Sequence, residues 1–170
     1  YLNIENSSYF IFFIIAILLF FTVIEYSKSN NLLLNKLFTN YFNKYMRTYE
    51  SKEILGSTYM IATFTFIVIL FPKEISITSM LIAVISDSAA AIFGIKYGSI
   101  KIYNNKTLEG SAAFFLSTIV ILNIFYLNKL LLIYLSALAI TIVESITPMK
   151  YDNITIPLST SLILFSISIL

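Results

Sequence analysis

The chain has 170 residues, of which 58% are hydrophobic and 12% are charged, and its mean hydropathy is +0.87. This composition excludes an ordinary soluble domain of this size and predicts an integral membrane protein. The sequence contains no cysteine and no histidine, which excludes disulfides, thiolate nucleophiles, the usual zinc sites and imidazole acid–base catalysis. The net charge is only +2 and its carriers are scattered, so nucleic-acid binding is not indicated.

Six apolar runs are long enough to cross the roughly 30 Å of hydrocarbon in a bilayer. In chain order they cover residues 8–24, 54–71, 75–93, 108–126, 130–146 and 154–170. Between the first two runs, residues 33–48 alternate apolar pairs with polar pairs, which predicts an amphipathic helix in the membrane interface; the alternative is a loop helix packed on the bundle. The sequence therefore predicts an all-α, polytopic transmembrane bundle of about six spans, forming a single membrane-embedded domain over 1–170.

The basic residues are distributed unequally between the two sides of this predicted bundle. When the loops are assigned alternately to the two sides, nine of the eleven Lys and Arg residues fall on one side, and only Lys73 and Lys129 fall on the other. By the positive-inside rule the longer loops are cytoplasmic. We therefore expect a multi-pass protein, in the cell membrane if the source is prokaryotic, with its active site on the cytoplasmic side.

One ionisable residue, Asp87, lies inside the third apolar run, within the small-residue stretch 86–91. A charge at membrane depth is costly and normally faces the interior of a bundle or a wet cavity. Asp87 is thus a functional candidate and a possible metal ligand. The alternative is an aspartate that hydrogen-bonds to a neighbouring helix, which small neighbours would let approach closely.

The connection to the fourth run carries a pattern typical of an anion site. Thr107 is predicted as the N-cap of the fourth helix, where unpaired N–H groups, the helix dipole and the charge of Lys106 all favour a phosphate. Gly94, Gly98 and Gly110 would let the backbone approach that phosphate closely. The alternatives are a lysine that only sets topology and glycines that only pack helices.

Four carboxylates fall at the same end of the predicted bundle. Asp87 and Glu109 belong to the third and fourth runs, Glu144 lies near the end of the fifth, and Asp152 is followed by Asn153 in the connection to the sixth. Asp152 and Asn153 could form only a turn. Carboxylate oxygens are, however, the ligands that Mg²⁺ prefers when it binds substrate phosphates, so this convergence predicts a magnesium site.

Three ordered blocks of sequence resemble the CTP-dependent lipid kinase family, which includes dolichol kinase, the yeast-type diacylglycerol kinase and phytol kinase. The blocks are SDSAAAIFGIKYG at 86–98, KTLEGSAAFF at 106–115, and ES at 144–145 followed by YDNITIPL at 151–158. The similarity covers about residues 50–164. It implies a membrane enzyme of lipid metabolism and phospholipid biosynthesis that transfers the γ-phosphate of CTP to the hydroxyl of a lipid alcohol, such as diacylglycerol, a polyprenol or a phytol-like alcohol.

The residues and this resemblance together suggest specific roles at the site. The predicted catalytic residues are Asp87, Lys106 and Glu109; the predicted nucleotide and phosphate ligands are Gly94, Gly98, Lys106, Thr107, Gly110 and Asn153; the predicted magnesium ligands are Asp87, Glu109 and Asp152. Ser86 stands where the family commonly has Gly, and Thr107 where Ser is usual. The basic segment and helix that family members often carry upstream have no counterpart here, so we expect either a truncated N-terminus or a member without that helix.

Two other functions fit part of this pattern. A phosphatidate cytidylyltransferase also joins CTP and lipid at the cytoplasmic face, but it would release pyrophosphate where a kinase releases CDP. A small transporter with Asp87 in its pathway is the second alternative. It would have broken helices at mid-membrane, whereas the polar residues of this sequence cluster at one end.

Overall fold

A computed structural model of the chain describes residues 4–31, 35–37, 40–41, 53–126 and 129–168. Its α-helices are α1 (Ile4–Asn30), α2 (Gly56–Leu70), α3 (Lys73–Leu81), α4 (Asp87–Tyr97), α5 (Leu108–Phe125), α6 (Leu130–Ile146) and α7 (Asp152–Ser168). A π-helical turn at Ile82–Ser86 joins α3 to α4 without a break, and a 3₁₀ turn at Tyr103–Asn105 precedes α5. Within these described ranges the only β pairing is one isolated bridge, which confirms the all-α prediction.

Three helical stretches are long and apolar enough to cross a membrane: Ser8–Asn30, Lys73–Tyr97 and Leu108–Phe125. The helices α2 and α6 are also apolar, but they have 15 and 17 residues. At 1.5 Å per residue their lengths are about 22 and 26 Å, short of the roughly 30 Å of a hydrocarbon core. The described ranges therefore contain three candidate membrane spans, and the six predicted from the sequence stay a prediction.

The predicted interfacial helix over 33–48 lies largely outside the described residues. Of that segment the structure describes 35–37 and 40–41, which are helical. Its amphipathic placement in the membrane interface stays a prediction.

The chain forms two compact units, Tyr1–Phe66 and Ile67–Leu170. In the first unit, charged side chains near the end of α1 hold the backbone that precedes α2. Lys28 pairs with Glu25 at 3.3 Å and donates to the Glu53 carbonyl at 2.8 Å, while the Leu55 amide donates to Glu25 at 2.7 Å. These bonds satisfy two charges that are largely withdrawn from solvent. This division into units does not test the prediction that residues 1–170 form a single membrane-embedded domain.

The second unit packs α3 to α7 around an apolar core. Its largest fully buried side chains include Phe114, Ile67, Ile82, Leu122, Ile140 and Ile156. Buried hydroxyls join the helices inside this core: Ser161 donates to Ser79 at 2.9 Å, and Thr118 donates to Ser86 at 3.1 Å. Small hydroxyl side chains of this kind let helices approach closely and bond across their interface. The buried charged residues of this unit, Glu144 and Asp152, lie at helix ends instead.

Candidate functional site

The ammonium group of Lys106 is the centre of a buried charge cluster at one end of the second unit. Its Nζ lies 2.9 Å from Glu144 Oε1 and 3.0 Å from Asp152 Oδ1, and it donates to the Glu144 carbonyl at 2.6 Å. The three side chains are 8%, 4% and 5% exposed. Since Lys106 precedes α5, Glu144 lies in the last turn of α6 and Asp152 begins α7, one lysine joins three helix ends. The three N–H donors of the ammonium group match these three acceptors.

Ser111 and Asp87 extend this cluster. The Ser111 hydroxyl donates to the second Glu144 oxygen at 2.9 Å. Asp87, at the start of α4, is half-buried and close enough to Asp152 for its charge to act on that carboxyl. Burial raises the pKa of Asp152 to about 6, although the Lys106 ammonium opposes the shift, and the negative charges of Asp87 and Glu144 add to it. The structure thus brings together three of the four carboxylates that the sequence placed at this end.

The fourth carboxylate, Glu109, has different partners. Its Oε1 accepts hydrogen bonds from the Ser99 amide at 2.9 Å, from the Ser99 hydroxyl, and from the Ile100 amide at 3.2 Å. Glu109 therefore holds the loop between α4 and α5 against the first turn of α5. Across the described ranges, no group of three or more acidic residues is spaced to hold a metal ion. The predicted magnesium trio of Asp87, Glu109 and Asp152 is accordingly not brought together.

The first turn of α5 begins as the sequence predicts. Thr107 is the N-cap, and its Oγ1 accepts a hydrogen bond from the Gly110 amide at 3.2 Å. The Leu108 amide donates to the Ile100 carbonyl at 2.9 Å. A second N–H group of this turn is therefore paired with the preceding loop. Two N–H groups that could have bound an anion are therefore paired within the chain itself.

The three glycines near this turn lie around the Thr107 side chain. A Cβ atom on Gly94 would lie 2.9 Å from Thr107 Oγ1, and one on Gly98 would lie 2.6 Å from Thr107 Cγ2. A Cβ on Gly110 would lie 2.9 Å from the Ala90 carbonyl oxygen. The glycines thus permit the close packing of α4 on α5, which is the packing role that the sequence left open. Their predicted contact with phosphate, like that of Asn153, stays a prediction.

Two contact residues, Ser99 and Ser111, were not singled out by the sequence. Ser111 follows Thr107 by four residues, and this spacing places both on one face of the helix start, so a signal for it was present. Ser99 had no such signal, because its bond to Glu109 depends on how the loop folds back over nine intervening residues.

The role of Glu109 as a loop anchor can be tested by replacing it with glutamine. A carboxylate accepts N–H bonds more strongly than an amide oxygen, by about 1 kcal/mol, so hydrogen exchange at the Ser99 and Ile100 amides should become about fivefold faster in Glu109→Gln. Exchange can be followed by mass spectrometry on peptides spanning 98–106. Lys101→Gln, at an exposed position in the same loop, is the control and should leave the rates unchanged. Unchanged exchange in Glu109→Gln would refute the anchoring role.

The chain is similar in sequence to a protein of Rickettsia prowazekii (strain Madrid E) named uncharacterized protein RP860. The two are 38% identical over 161 residues, an alignment that covers 88% of this chain and 76% of the rickettsial protein. The chain belongs to the family of RP860. No protein-family profile matches the chain, and no solved structure matches it. Because the name of RP860 states no activity, the chemistry of this family member has to be argued from the charge cluster.

Proposed function

We propose that the chain is an integral membrane kinase that transfers the γ-phosphate of CTP to the hydroxyl of a lipid alcohol. The observation that carries this proposal is the buried Lys106 ammonium held between Glu144 and Asp152, with Asp87 beside them, at one end of apolar helices. Phosphoryl transfer needs mainly positioning and charge neutralisation, which a lysine and carboxylates at a water-lipid boundary can supply. These four residues also belong to the three blocks that resemble the CTP-dependent lipid kinases.

The proposal includes a topology in which the chain crosses the membrane about six times. Three helices have the length and apolarity of full spans, and the apolar α2 and α6 would cross where the bilayer thins locally to match them. The sixth crossing would be α7, which corresponds to the sixth apolar run of the sequence. The excess of Lys and Arg in alternate loops would place the charge cluster on the cytoplasmic side. CTP would then reach the cluster from the cytoplasm, and the lipid alcohol would reach it from the inner leaflet.

A magnesium ion fits this proposal in part. Mg²⁺ in phosphoryl-transfer sites is commonly held by one or two carboxylates together with substrate phosphates. Asp87 and Asp152, whose charges act on each other, are the residues that would hold it. When bound, the ion would neutralise charge on the transferring phosphate. Glu109 does not fit as a ligand, because its carboxylate is bonded to Ser99 and Ile100.

The residues of the chain would then divide the work of the transfer. Lys106 would exchange one of its three present acceptors for a phosphate oxygen of CTP. The alcohol oxygen forms a bond to the γ-phosphorus while the bond from that phosphorus to the β–γ bridging oxygen breaks, and CDP leaves. Asp87, half-buried at the start of α4, would accept the proton of the alcohol.

The experiment that tests this function supplies γ-labelled CTP to the purified protein in lipid nanodiscs containing diacylglycerol, a polyprenol or phytol. The expected result is labelled lipid and an equal amount of CDP, at a rate that falls when magnesium is chelated. Release of pyrophosphate with an unlabelled lipid product would instead identify a cytidylyltransferase. Absence of any nucleotide-dependent product, together with solute flux into sealed vesicles, would identify a transporter. γ-Labelled ATP in a parallel reaction tests the choice of donor.

A further inference from the structure

A cavity lies at the other end of the helices that build the charge cluster. It has a volume of about 250 Å³. It is lined by Glu74 at the start of α3 and by residues at the end of α5, the start of α6 and the end of α7. The cluster uses the beginnings of α5 and α7 and the end of α6. Since the 18 residues of α5 extend about 27 Å, this cavity is well separated from Lys106 and belongs to a different site.

The lining of this cavity changes from charged to apolar with depth. Glu74 and Lys129 are exposed and line it, whereas Leu122, Ile133 and Leu164 are buried among its walls. Opposite charges at the opening and apolar walls inside are complementary to an amphiphile with a charged head. The described part of the chain contains no ion pair between Glu74 and Lys129, and both side chains are exposed.

Three residues with hydroxyl groups also line the cavity: Tyr126, Ser136 and Ser168. Ser136 lines the cavity and is buried, and its hydroxyl donates to the Leu132 carbonyl. Tyr126 also lines the cavity, but its hydroxyl is withdrawn from solvent and lies beside Thr78. The walls of the cavity therefore combine apolar side chains with a few polar ones.

We propose that this cavity binds the headgroup of a phospholipid that carries a primary ammonium group. The ammonium would pair with Glu74 and the phosphate with Lys129. The volume is smaller than the about 300–1,000 Å³ of sites that enclose a drug-sized ligand, so it suits a headgroup and the first chain carbons, with the remaining chains along the apolar helices. A lipid is favoured over a soluble amine because exposed Leu130 and Leu131 continue the surface beside the opening.

The test measures lipid retained by the purified protein in detergent, by native mass spectrometry, with dioleoyl phosphatidylethanolamine and dioleoyl phosphatidylglycerol as probes. Phosphatidylethanolamine should bind more tightly than phosphatidylglycerol. Glu74→Gln should weaken phosphatidylethanolamine about three- to fivefold and leave phosphatidylglycerol unchanged, as expected for one exposed charge pair. Lys129→Gln should weaken both lipids, because both carry the phosphate. Lys73→Gln, a neighbour of Glu74 that does not line the cavity, is the matched control.

Several results would overturn the proposal. Equal binding of the two lipids, or a Glu74→Gln variant that discriminates between them as the parent does, would show that no ammonium site exists. Equally tight binding of soluble phosphoethanolamine would show that the occupant is a soluble amine. Because Glu74 and Lys129 are exposed, these substitutions leave the buried core intact, so a negative result can be attributed to the cavity. The readout is binding, which is independent of whether the chain transfers phosphate.

Discussion

Replacing Lys106 with methionine should lower the free energy of unfolding by about 3–5 kcal/mol, the usual cost of removing one partner from a buried ion pair. The substitution keeps most of the apolar stem but leaves the Glu144 and Asp152 carboxylates facing each other in a buried site. It also removes the donor to the Glu144 carbonyl. Three helix ends would then lose their common contact, so the second unit should be affected as a whole.

Thermal or chaotrope unfolding in a fixed detergent measures this loss, with Lys101→Met as the control. Lys101 is an exposed lysine in the same loop, and its replacement should change stability by less than about 0.5 kcal/mol. The triple variant Lys106→Met, Glu144→Gln, Asp152→Asn should recover part of the stability, because it removes the two unpaired charges as well. If the single Lys106 variant is as stable as the parent, Lys106 does not hold the cluster together.

The features that the sequence predicted correctly are those fixed over a few residues. Thr107 caps α5 because a side-chain oxygen at that position reaches the amide of Gly110, three residues later. The third apolar run was expected to span 75–93, and the helical stretch is Lys73–Tyr97, so its extent was underestimated at both ends.

The features that the sequence did not predict depend on how distant segments meet. The bond of Lys106 to Glu144 joins residues 38 positions apart, and its bond to Asp152 joins residues 46 apart. The topology of alternating helices placed these side chains at one end, but it left open whether the lysine faced a phosphate or the carboxylates. The sequence also did not show that Glu109 bonds to Ser99 and Ile100. A carboxylate at the start of a helix can bind either a metal ion or the backbone amides of a nearby loop.

The π-helical turn at Ile82–Ser86 is another feature that the sequence did not predict. Apolar residues in a continuous run carry no periodic signal that distinguishes i→i+5 bonding from i→i+4 bonding. The turn lies directly before Asp87 and contains Ser86, whose hydroxyl accepts from Thr118 of α5. One extra residue in this turn changes the direction in which the residues after it face, including Asp87.

Replacing Asp87 with asparagine should reduce phosphoryl transfer from CTP by at least about 100-fold, since a positioned proton acceptor typically contributes 10²–10⁴-fold to a rate. Asparagine has nearly the same shape as aspartate but cannot take the proton of the alcohol, and it binds a divalent cation less well than a carboxylate does. Asp87 is half-buried at the start of α4, so the substitution should leave the fold largely intact. The rate of label transfer from γ-labelled CTP to lipid in nanodiscs measures the loss.

The matched control is Glu53→Gln, the same carboxylate-to-amide change at an exposed position in the first unit, which should transfer phosphate at the parent rate. An unfolding midpoint close to that of the parent would show that Asp87→Asn lost chemistry rather than structure. Restoration of the parent rate by Asp87→Glu is not expected, because one additional methylene would displace the carboxylate from the reacting hydroxyl. Normal turnover by Asp87→Asn would remove Asp87 from the mechanism and leave Asp152, which pairs with Lys106 at 3.0 Å, as the residue to be tested in its place.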